Sequence, residues 1–299
     1  MNSDTPPDSL LEQAQPSPLE IDVSCIVITW NSAAYIEKCL NSVLSDLEST
    51  GLSYELIVVD NGSTDDTSAK VLSIRPDTDL ISLGRNTGTT FSRNIALRRA
   101  RGNFLLICDS DVEILEFGVV SRLLGEMHKD KMLGIACPGI TYGSGNHQKS
   151  YDVFPTLLHK LKRLFFLRKM ESSEAQRLSA ATRIYVDYAI SAFWLLRKST
   201  VEEIGLFDEK IFYAPEDVDY CARVWLSGHT VAVFTSDVVV HHAQEISRQN
   251  PLSVVSFSHL AGLMYWYRKE KAMFSTKALR SRIEQARALA TLTITNNDR

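Results

Sequence analysis

Short apolar runs alternate with longer stretches of helical periodicity along the first half of the chain. The apolar runs have the length and the Val, Ile and Leu content of buried strands. The runs lie at 23–28, 55–59, 80–83, 104–108 and 133–137, and helices are predicted over 33–47, up to 74, over 90–100 and over 118–127. This alternation predicts an α/β fold with a mostly parallel central sheet flanked by helices.

Polar loops follow three of these predicted strands. They are Thr29-Trp30-Asn31, the loop from Asp60 to Asp65, and Asp109-Ser110-Asp111. Parallel strands bring their carboxyl ends to one edge of the sheet, which is where open α/β folds bind ligands. Carboxylates one residue apart at a strand end can reach one hard cation, which also accepts phosphate oxygens. We therefore expect a divalent cation and a diphosphate beside the Asp109 triplet; a solvated, Asp-rich turn is the alternative.

Composition narrows the class of protein. The 299 residues are 44% hydrophobic and 23% charged, which is typical of a globular protein, and the net charge of −4 favours no nucleic-acid partner. No apolar run approaches the roughly 20 residues of a spanning helix. The five cysteines lie mostly in apolar runs and are expected to be reduced core thiols in a cytoplasmic protein.

Two further observations concern the first residues and the phosphate-binding motifs. Residues 1–20 contain four prolines and acidic residues but no Lys or Arg, so we expect a disordered tail and no signal peptide. The glycine-rich fingerprints of dinucleotide dehydrogenases and of phosphate-loop ATPases are both missing from the sequence. A nucleotide would have to be held in another way.

The ordered combination of four motifs resembles the family 2 glycosyltransferases, and most of all bacterial rhamnosyltransferase-like members with the GT-A fold. The motifs are Ile26 to Asn31, Val58 to Asp65, Asn86 with Arg93-Asn94, and Asp109-Ser110-Asp111. The resemblance implies a GT-A domain over residues 21–248. It also implies an inverting, metal-assisted transfer of a sugar from a nucleotide-diphosphate sugar to a hydroxyl of a saccharide or lipid-linked acceptor.

The resemblance also assigns the donor site. Thr29, Trp30 and Asn31 would contact the base, and Asp60 the base or the ribose; Arg93 is expected to contact the diphosphate or ribose. The complete set expected to bind the donor is Thr29, Trp30, Asn31, Asp60, Asn61, Ser63, Asn86, Arg93, Asp109 and Ser110. The simpler interpretation of the second loop is a turn at Asn61-Gly62 followed by a capped helix.

A second carboxylate cluster, Glu216-Asp217-Val218-Asp219, follows Pro215. Acidic residues are favoured in the first turn of any helix, so the cluster alone has a structural explanation. The resemblance implies more: Asp217 would be the general base, and Glu216 would orient the acceptor or hold nearby positive charge. Asp219 and Arg223 have the i, i+4 spacing of an ion pair.

The metal site is expected to contain Asp109, Asp111 and His241, with Mn²⁺ or Mg²⁺ as the ion. The resemblance favours His241 over His242 because it matches the motif position at a strand end. Residues Ala243 to Ser247 depart from the family pattern, in which a short glycine-containing stretch separates the His from a Ser. A structural histidine is therefore the alternative.

Two segments concern the acceptor side. Residues 142–183 are predicted to be an insertion or acceptor-side region, and they include the basic, apolar stretch from His159 to Lys169. That stretch predicts either a helix on an anionic membrane surface or an element that folds over the acceptor site. Residues 249–299 are predicted to be a helical extension that packs on the catalytic domain or anchors at a membrane interface. Peripheral contact with the inner face of the membrane thus stays open.

Two other functions are consistent with the same sheet. A sugar nucleotidyltransferase would use a similar fold, but its Gly-rich, basic start after the first strand is missing. A noncatalytic nucleotide-sugar-binding or partner-docking protein would retain the fold without needing Glu216 and Asp217. The presence of these carboxylates favours the enzyme.

Overall fold

A mixed β-sheet flanked by helices forms the centre of the fold in the computed structural model. The structure describes residues 21–163, 165–166, 170, 181–242 and 254–297. The predicted tail and the stretch from Ala243 to Ser247 lie outside these ranges. The strands are β1 Val23–Thr29, β2 Tyr54–Asp60, β3 Asp79–Ser82, β4 Phe104–Asp109, β5 Val112–Glu113, β6 Leu133–Tyr142, β7 Tyr151–Asp152, β8 Arg183–Tyr185, β9 Tyr188–Ala189, β10 Phe193–Arg197 and β11 Thr230–His241. The helices are α1 Ile36–Ser49, α2 Thr67–Ile74, α3 Thr89–Arg99, α4 Val119–Lys129, α5 Lys198–Ile204, α6 Glu216–Leu226, α7 Val254–Glu270 and α8 Lys277–Asn297.

The strand order is β3-β2-β1-β4-β10-β6-β11-β5, and β8 pairs with residues Ala232 to Phe234 of β11. Strands β1 to β4, β6 and β11 run in one direction, while β5, β8 and β10 run against it. The predicted mostly parallel α/β sheet is therefore confirmed, with an antiparallel strand at its centre that the sequence pattern did not predict. Strands β7 and β9 form a separate small sheet.

Two apolar layers cover the sheet, because successive side chains of a strand point to opposite faces. In β4, Leu105 and Ile107 join the layer made with α3, α6, α7 and α8, whereas Leu106 and Cys108 join the layer made with α1, α2 and α4. Both faces of β4 are thus buried, which explains its uninterrupted apolar run.

The C-terminal helices pack against the first of these layers. Trp266, Tyr267 and Leu279 have at most 1% of their surface exposed, so the aromatic cluster of α7 belongs to the core. None of the helices in the described ranges combines the length and apolar character needed to cross a bilayer.

The order in which strands are added to the sheet reverses at β1, because β2 and β3 lie on one side of it and β4 on the other. In the register of these strands, Thr29 is opposite Asp60 and Ile28 is opposite Asp109. Such a reversal of strand order opens a crevice at the carboxyl ends of the strands. The polar loops predicted from the sequence meet in that crevice.

Candidate active site

A cavity of about 410 Å³ occupies the crevice at the carboxyl edge of the sheet. Its walls include Thr29 from the end of β1, Asp109 from β4, Glu216 and Asp217 from the start of α6, and His241 from the end of β11. Residues separated by more than 200 positions in the chain thus share one site.

Asp109, Asp111 and His241 form an acidic cluster on one wall. Their candidate ligand atoms all lie within 4.8 Å of one another. The pairing of β11 with β5 explains the arrangement, since it sets His241 opposite Val112, the residue after Asp111. Nε2 of His241 lies 3.2 Å from Oδ1 of Asp111. This set of two carboxylates and an imidazole is suited to a divalent cation such as Mn²⁺.

The second ring nitrogen of His241 also has a partner. Its Nδ1 lies 3.1 Å from Oε1 of Gln148, the arrangement by which a metal-binding histidine is usually oriented. Burial opposes the charged imidazole, but the hydrogen bond and charge of Asp111 and the charge of Asp109 outweigh it and raise the pKa of His241. His242 points elsewhere: it bonds Glu113 at 2.7 Å and stacks on Tyr35.

Arg93 bridges the acidic cluster and Glu216. Its side chain is almost fully buried, with Nη2 at 2.9 Å from Asp109 and Nη1 at 2.9 Å from Glu216. Nη1 also donates to the Ser191 hydroxyl at 2.7 Å, and Nη2 to its carbonyl at 3.2 Å. These four bonds use the terminal N–H groups of Arg93 to hold the residues around it, and the diphosphate or ribose contact stays a prediction.

Glu216 and Asp217 are the first two residues of α6, and both line the cavity. Burial and the neighbouring charge of Asp217 raise the pKa of Glu216 to about 7, although Arg93 and Ser191 act in the other direction. Burial also raises the pKa of Asp217, which the positive charge of Lys160 partly offsets. A raised pKa makes Asp217 a stronger base than an exposed aspartate.

Asp219 has a separate, structural role. Its Oδ2 accepts a hydrogen bond from Nε of Arg223 at 3.1 Å, and its Oδ1 accepts one from Lys269 at 2.7 Å. The predicted i, i+4 ion pair is confirmed, and Lys269 ties α7 to the helix that carries the Glu216-Asp217 pair.

The loops after β1 and β2 are joined by hydrogen bonds. Asp60 is 6% exposed and accepts hydrogen bonds from the Ser63 N–H at 3.0 Å and the Ser68 hydroxyl at 2.8 Å. The Asn31 N–H donates to the Ser63 hydroxyl at 2.9 Å. Of the expected donor-binding residues, Asn31, Asp60 and Ser63 therefore support the loops behind the wall. Thr29 and Trp30 line the cavity itself, and Trp30 exposes 37% of its surface.

Asn61 and Asn86 fix the start of α3 against the cavity. The amide of Asn61 donates to Oδ1 of Asn86 at 3.2 Å, and its oxygen accepts from the Thr87 N–H at 2.7 Å. Gly88 follows with φ of 87°, and a Cβ there would lie 2.3 Å from the carbonyl oxygen of Phe212. This close approach directs α3, and with it Arg93, toward Glu216.

Ser110, which lines the cavity between the two aspartates, lies 2.6 Å from the Ser32 hydroxyl. This contact joins the loop after β4 to the loop after β1. Eleven of the predicted site residues thus line the cavity: Thr29, Trp30, Asn61, Asn86, Arg93, Asp109, Ser110, Asp111, Glu216, Asp217 and His241.

The profile of glycosyl transferase family 2 matches residues 24–205, which contain the loops after β1, β2 and β4. The chain belongs to glycosyl transferase family 2. It is 25% identical over 251 residues to N-acetylglucosaminyl-diphospho-decaprenol L-rhamnosyltransferase of Mycobacterium tuberculosis, covering 78% of this chain and 80% of that protein. It is 27% identical over 268 residues to the poly(ribitol-phosphate) β-N-acetylglucosaminyltransferase TarS of Staphylococcus aureus, covering 80% of this chain and 45% of that protein.

Solved structures show the same fold. The mannosyltransferase PcManGT from Pyrobaculum calidifontis, in complex with GDP-Man and Mn²⁺, superimposes with a TM-score of 0.58 at 17% identity, covering 89% of this chain and 69% of that one. Residues 1–349 of S. aureus TarS with UDP give 0.53 at 20% identity, covering 84% and 72%. The chain is therefore a glycosyltransferase with the GT-A fold, and the predicted family, fold and enzyme class are confirmed.

Several lining residues of this glycosyltransferase were not predicted from the sequence. Ser191, which bonds both Arg93 and Glu216, lies two residues before the apolar run Phe193 to Leu196, so a polar residue near a strand boundary was its only signal. Other unpredicted lining residues with polar side chains include Gln148, Lys149, Arg163, Tyr213 and His259. They come from irregular or helical segments without a motif, and tertiary packing alone brings them to the cavity.

The acceptor-side region of the glycosyltransferase includes a helix over residues 157–163 and 165–166, called the basic helix below. Arg163 of this helix lines the cavity, and so does Lys149 from the preceding segment. Of the two expectations for this stretch, an element that covers the site fits the position of Arg163.

Proposed function

We propose that this glycosyltransferase inverts the anomeric carbon and uses a divalent cation to transfer a sugar from a nucleotide-diphosphate donor to a hydroxyl of a saccharide or lipid-linked acceptor. One observation carries the proposal. A single cavity is lined both by the cluster of Asp109, Asp111 and His241 and by the carboxylates of Glu216 and Asp217. A donor diphosphate at the first group and an acceptor hydroxyl at Asp217 would therefore share one cavity.

The donor half would consist of the loops after β1, β2 and β4. Trp30 offers a flat apolar face to the base, and Thr29 offers a hydroxyl to the base or ribose. Asp109, Asp111 and His241 would hold the cation, Mn²⁺ or Mg²⁺. When bound, the cation neutralises the negative charge that accumulates on the leaving diphosphate.

The acceptor half would depend on Asp217. Its carboxylate takes the proton of the acceptor hydroxyl while that oxygen attacks the anomeric carbon from the face opposite the diphosphate. The new C–O bond forms as the bond to the diphosphate breaks, so one displacement inverts the configuration. General-base help of this kind is worth about 10²- to 10⁴-fold in rate. Glu216 holds Arg93, and through it the position of Asp109.

The relatives suggest the chemical range of the substrates. The M. tuberculosis relative is named as a rhamnosyltransferase acting on a diphospho-decaprenol-linked sugar, and two of the structural neighbours hold GDP-Man and UDP. We propose a nucleotide-diphosphate donor and a saccharide or lipid-linked saccharide as acceptor. A place in polysaccharide biosynthesis, at the cytoplasmic face of the membrane, fits these substrates.

The test begins with thermal stabilisation by a panel of nucleoside diphosphates and nucleotide sugars, with Mn²⁺, with Mg²⁺ and with chelator. A ligand that binds only the folded state raises the apparent stability in proportion to the logarithm of its concentration over Kd. We expect one nucleotide to stabilise the wild type in a metal-dependent way and Asp111→Asn to lose that dependence. Folded protein that no donor stabilises would remove the support for the donor site.

Asp217→Asn then tests the base. Turnover should fall by about 10²- to 10⁴-fold while donor binding is retained. Full turnover in this variant would refute the assignment, and a protein without turnover in either form would be the noncatalytic binder. Release of a nucleoside diphosphate distinguishes the transferase from a nucleotidyltransferase, which releases pyrophosphate.

A further inference from the structure

Helix α7 reaches the cavity from outside the part of the chain that matches the family profile. That match ends at residue 205, whereas α7 spans Val254–Glu270. His259, in the first half of α7, lines the same cavity as Asp217. One of the C-terminal helices therefore contributes a polar side chain to the candidate active site, and the motifs of the sequence give this residue no role.

A close contact fixes α7 against the residues that precede Asp217. Gly262 packs so tightly on Ala214 that a Cβ at this glycine would lie 2.3 Å from the Ala214 carbonyl oxygen and 3.2 Å from Cδ of Pro215. Residues three apart are neighbours on the surface of a helix, so His259 lies one turn before this contact. The two positions are about 4.5 Å apart along the helix axis. The segment that leads into Asp217 and the imidazole of His259 are thus neighbours in the cavity wall.

Further contacts hold the second half of α7 in place. Lys269 donates to Asp208 at 2.8 Å and to Asp219 at 2.7 Å, and the Tyr265 hydroxyl donates to Asp208 at 2.9 Å. Trp266 is fully buried in the core. Helix α7 is therefore anchored both to the loop before α6 and to α6 itself.

The imidazole of His259 can accept a ligand. Neither of its ring nitrogens has a hydrogen-bond partner in the part of the chain that the structure describes. Burial and nearby positive charge lower the pKa of His259 to about 4, so the ring is neutral at pH 7. A neutral imidazole has one donor and one acceptor, which suits a sugar hydroxyl because a hydroxyl also donates and accepts. A diphosphate only accepts, and a cation would bind it better.

We propose that His259 binds one hydroxyl group of the acceptor saccharide and thereby brings a neighbouring hydroxyl, the one that reacts, to Asp217. The inference rests on the proposed function and names a specificity-determining residue of its acceptor half. The observation that carries it is the place of this imidazole, one helical turn from the contact at Gly262, in the cavity that Asp217 also lines. A hydrogen bond to one hydroxyl discriminates between epimers at that carbon, because the wrong epimer leaves a polar group unpaired.

The probes are the methyl glycosides of D-glucose, D-galactose, N-acetyl-D-glucosamine and L-rhamnose, supplied to the full chain as acceptors. Release of nucleoside diphosphate is measured with Mn²⁺ and a saturating concentration of the nucleotide sugar that stabilises the protein most. The rate without glycoside is subtracted, which gives KM and kcat for each glycoside. The glycoside with the highest kcat/KM is then compared with its monodeoxy analogues, each of which lacks one hydroxyl.

Three substitutions of His259 separate hydrogen bonding from shape. His259→Phe keeps a flat ring without nitrogen, His259→Ala removes the ring, and His259→Gln keeps a donor and an acceptor. The matched control is Leu260→Ala, because Leu260 is the next residue of the same helix and is 58% exposed. The Phe and Ala variants should lower kcat/KM for the glycoside about tenfold, mainly through KM, and the Gln variant less. The Leu260 variant should match the wild type.

The monodeoxy analogues distinguish a direct contact from a structural effect. One analogue should be about tenfold poorer than its parent with the wild type but should react equally well with the wild type and His259→Phe, since the hydroxyl that His259 binds is already missing. The other analogues should lose the same factor in the variant as the parent glycoside loses.

Three results would overturn the proposal. They are equal kcat/KM of His259→Phe and the wild type for every glycoside, an equal loss in this variant for the parent and all of its analogues, and transfer to none of the glycosides by wild type that the nucleotide sugar stabilises. Stabilisation by the nucleotide sugar is measured for every variant. Wild type that lacks this stabilisation would contradict the proposed function itself, so the two failures are distinguishable.

Discussion

Glu216 should make the stability of the protein fall as the pH rises, and glutamine at this position should remove that dependence. In the folded protein burial and the charge of Asp217 raise the pKa of Glu216 from 4.5 to about 7. The unfolded chain therefore releases this proton at lower pH than the folded protein does. Between the two values the folded state binds more protons, so the free energy of unfolding decreases with increasing pH.

The magnitude follows from the two pKa values. Their difference corresponds to about 3 kcal/mol, at 1.36 kcal/mol for each factor of ten. Below the lower value Glu216 is protonated in both states and contributes nothing. Above the higher pKa value the ionised Glu216 lowers the free energy of unfolding by the full amount. Because the side chain is only 9% exposed, solvent screening reduces this cost little.

Glu216→Gln keeps an oxygen that accepts the hydrogen bonds of Arg93 and Ser191 but cannot ionise. Urea unfolding of this variant and of the wild type should be compared from about pH 5 to about pH 8. The difference in unfolding free energy should grow by about 2.5 kcal/mol in favour of the variant over this range, because a small part of the cost is already present at pH 5. A constant difference between the proteins has no bearing on the argument, because only its change with pH reports the carboxyl group.

Two controls make the result decisive. Glu202→Gln removes an exposed glutamate on α5 and should give a curve parallel to the wild type. Asp217→Asn removes the charge that contributes to the raised pKa of Glu216 and should shift the fall in stability to lower pH. Parallel curves for Glu216→Gln and the wild type would show that Glu216 ionises normally, and the electrostatic account of this wall would then be wrong.

Three further predictions concern the supports of the site. Arg93→Met leaves Asp109 and Glu216 without their buried partner and should lower the unfolding free energy by about 3 to 5 kcal/mol in urea denaturation, an effect that Arg93→Lys should partly restore. Gln148→Ala removes the group that orients the imidazole and should weaken Mn²⁺ binding by about 10- to 100-fold in a calorimetric titration with nucleotide present, with the thermal stability of the protein alone unchanged. Trp266→Ala empties a fully buried core position and should cost about 3 to 5 kcal/mol in the same urea assay.

The features that sequence reasoning found are those fixed by local chemistry. An apolar run followed by Asp109-Ser110-Asp111 identifies a strand and the polar residues at its end, because burial and solvation determine each part within a few positions. The i, i+4 spacing of Asp219 and Arg223 identifies their ion pair for the same reason. No distant contact needs to be known for these inferences.

The features that it missed depend on distant contacts. Arg93 bonds Glu216 across 123 positions of sequence, and its helix gives no indication that the guanidinium is buried rather than presented to a ligand. A short apolar run such as that of β10 indicates a strand but not its direction. The basic helix shows the first limit, because its sequence left a membrane surface and the acceptor site as alternatives, and only the fold places His159 and Arg163 beside Asp152.

The buried guanidinium of Arg93 changes how substitutions at this site should be interpreted. Asp109 and Glu216 are both bound to it, so the acidic wall and the start of α6 form one electrostatic unit. Residues in one network do not contribute additively, and loss of turnover after a change at Asp109 or Glu216 would not by itself identify a catalytic group. Among the side-chain contacts of the described residues, Asp217 bonds the N–H of Val218 and makes no hydrogen bond to Arg93. Replacing Asp217 therefore leaves the hydrogen bonds of Arg93 in place, but its charge acts on Glu216, so a loss of turnover there can be attributed to the chemical step only when donor binding is retained.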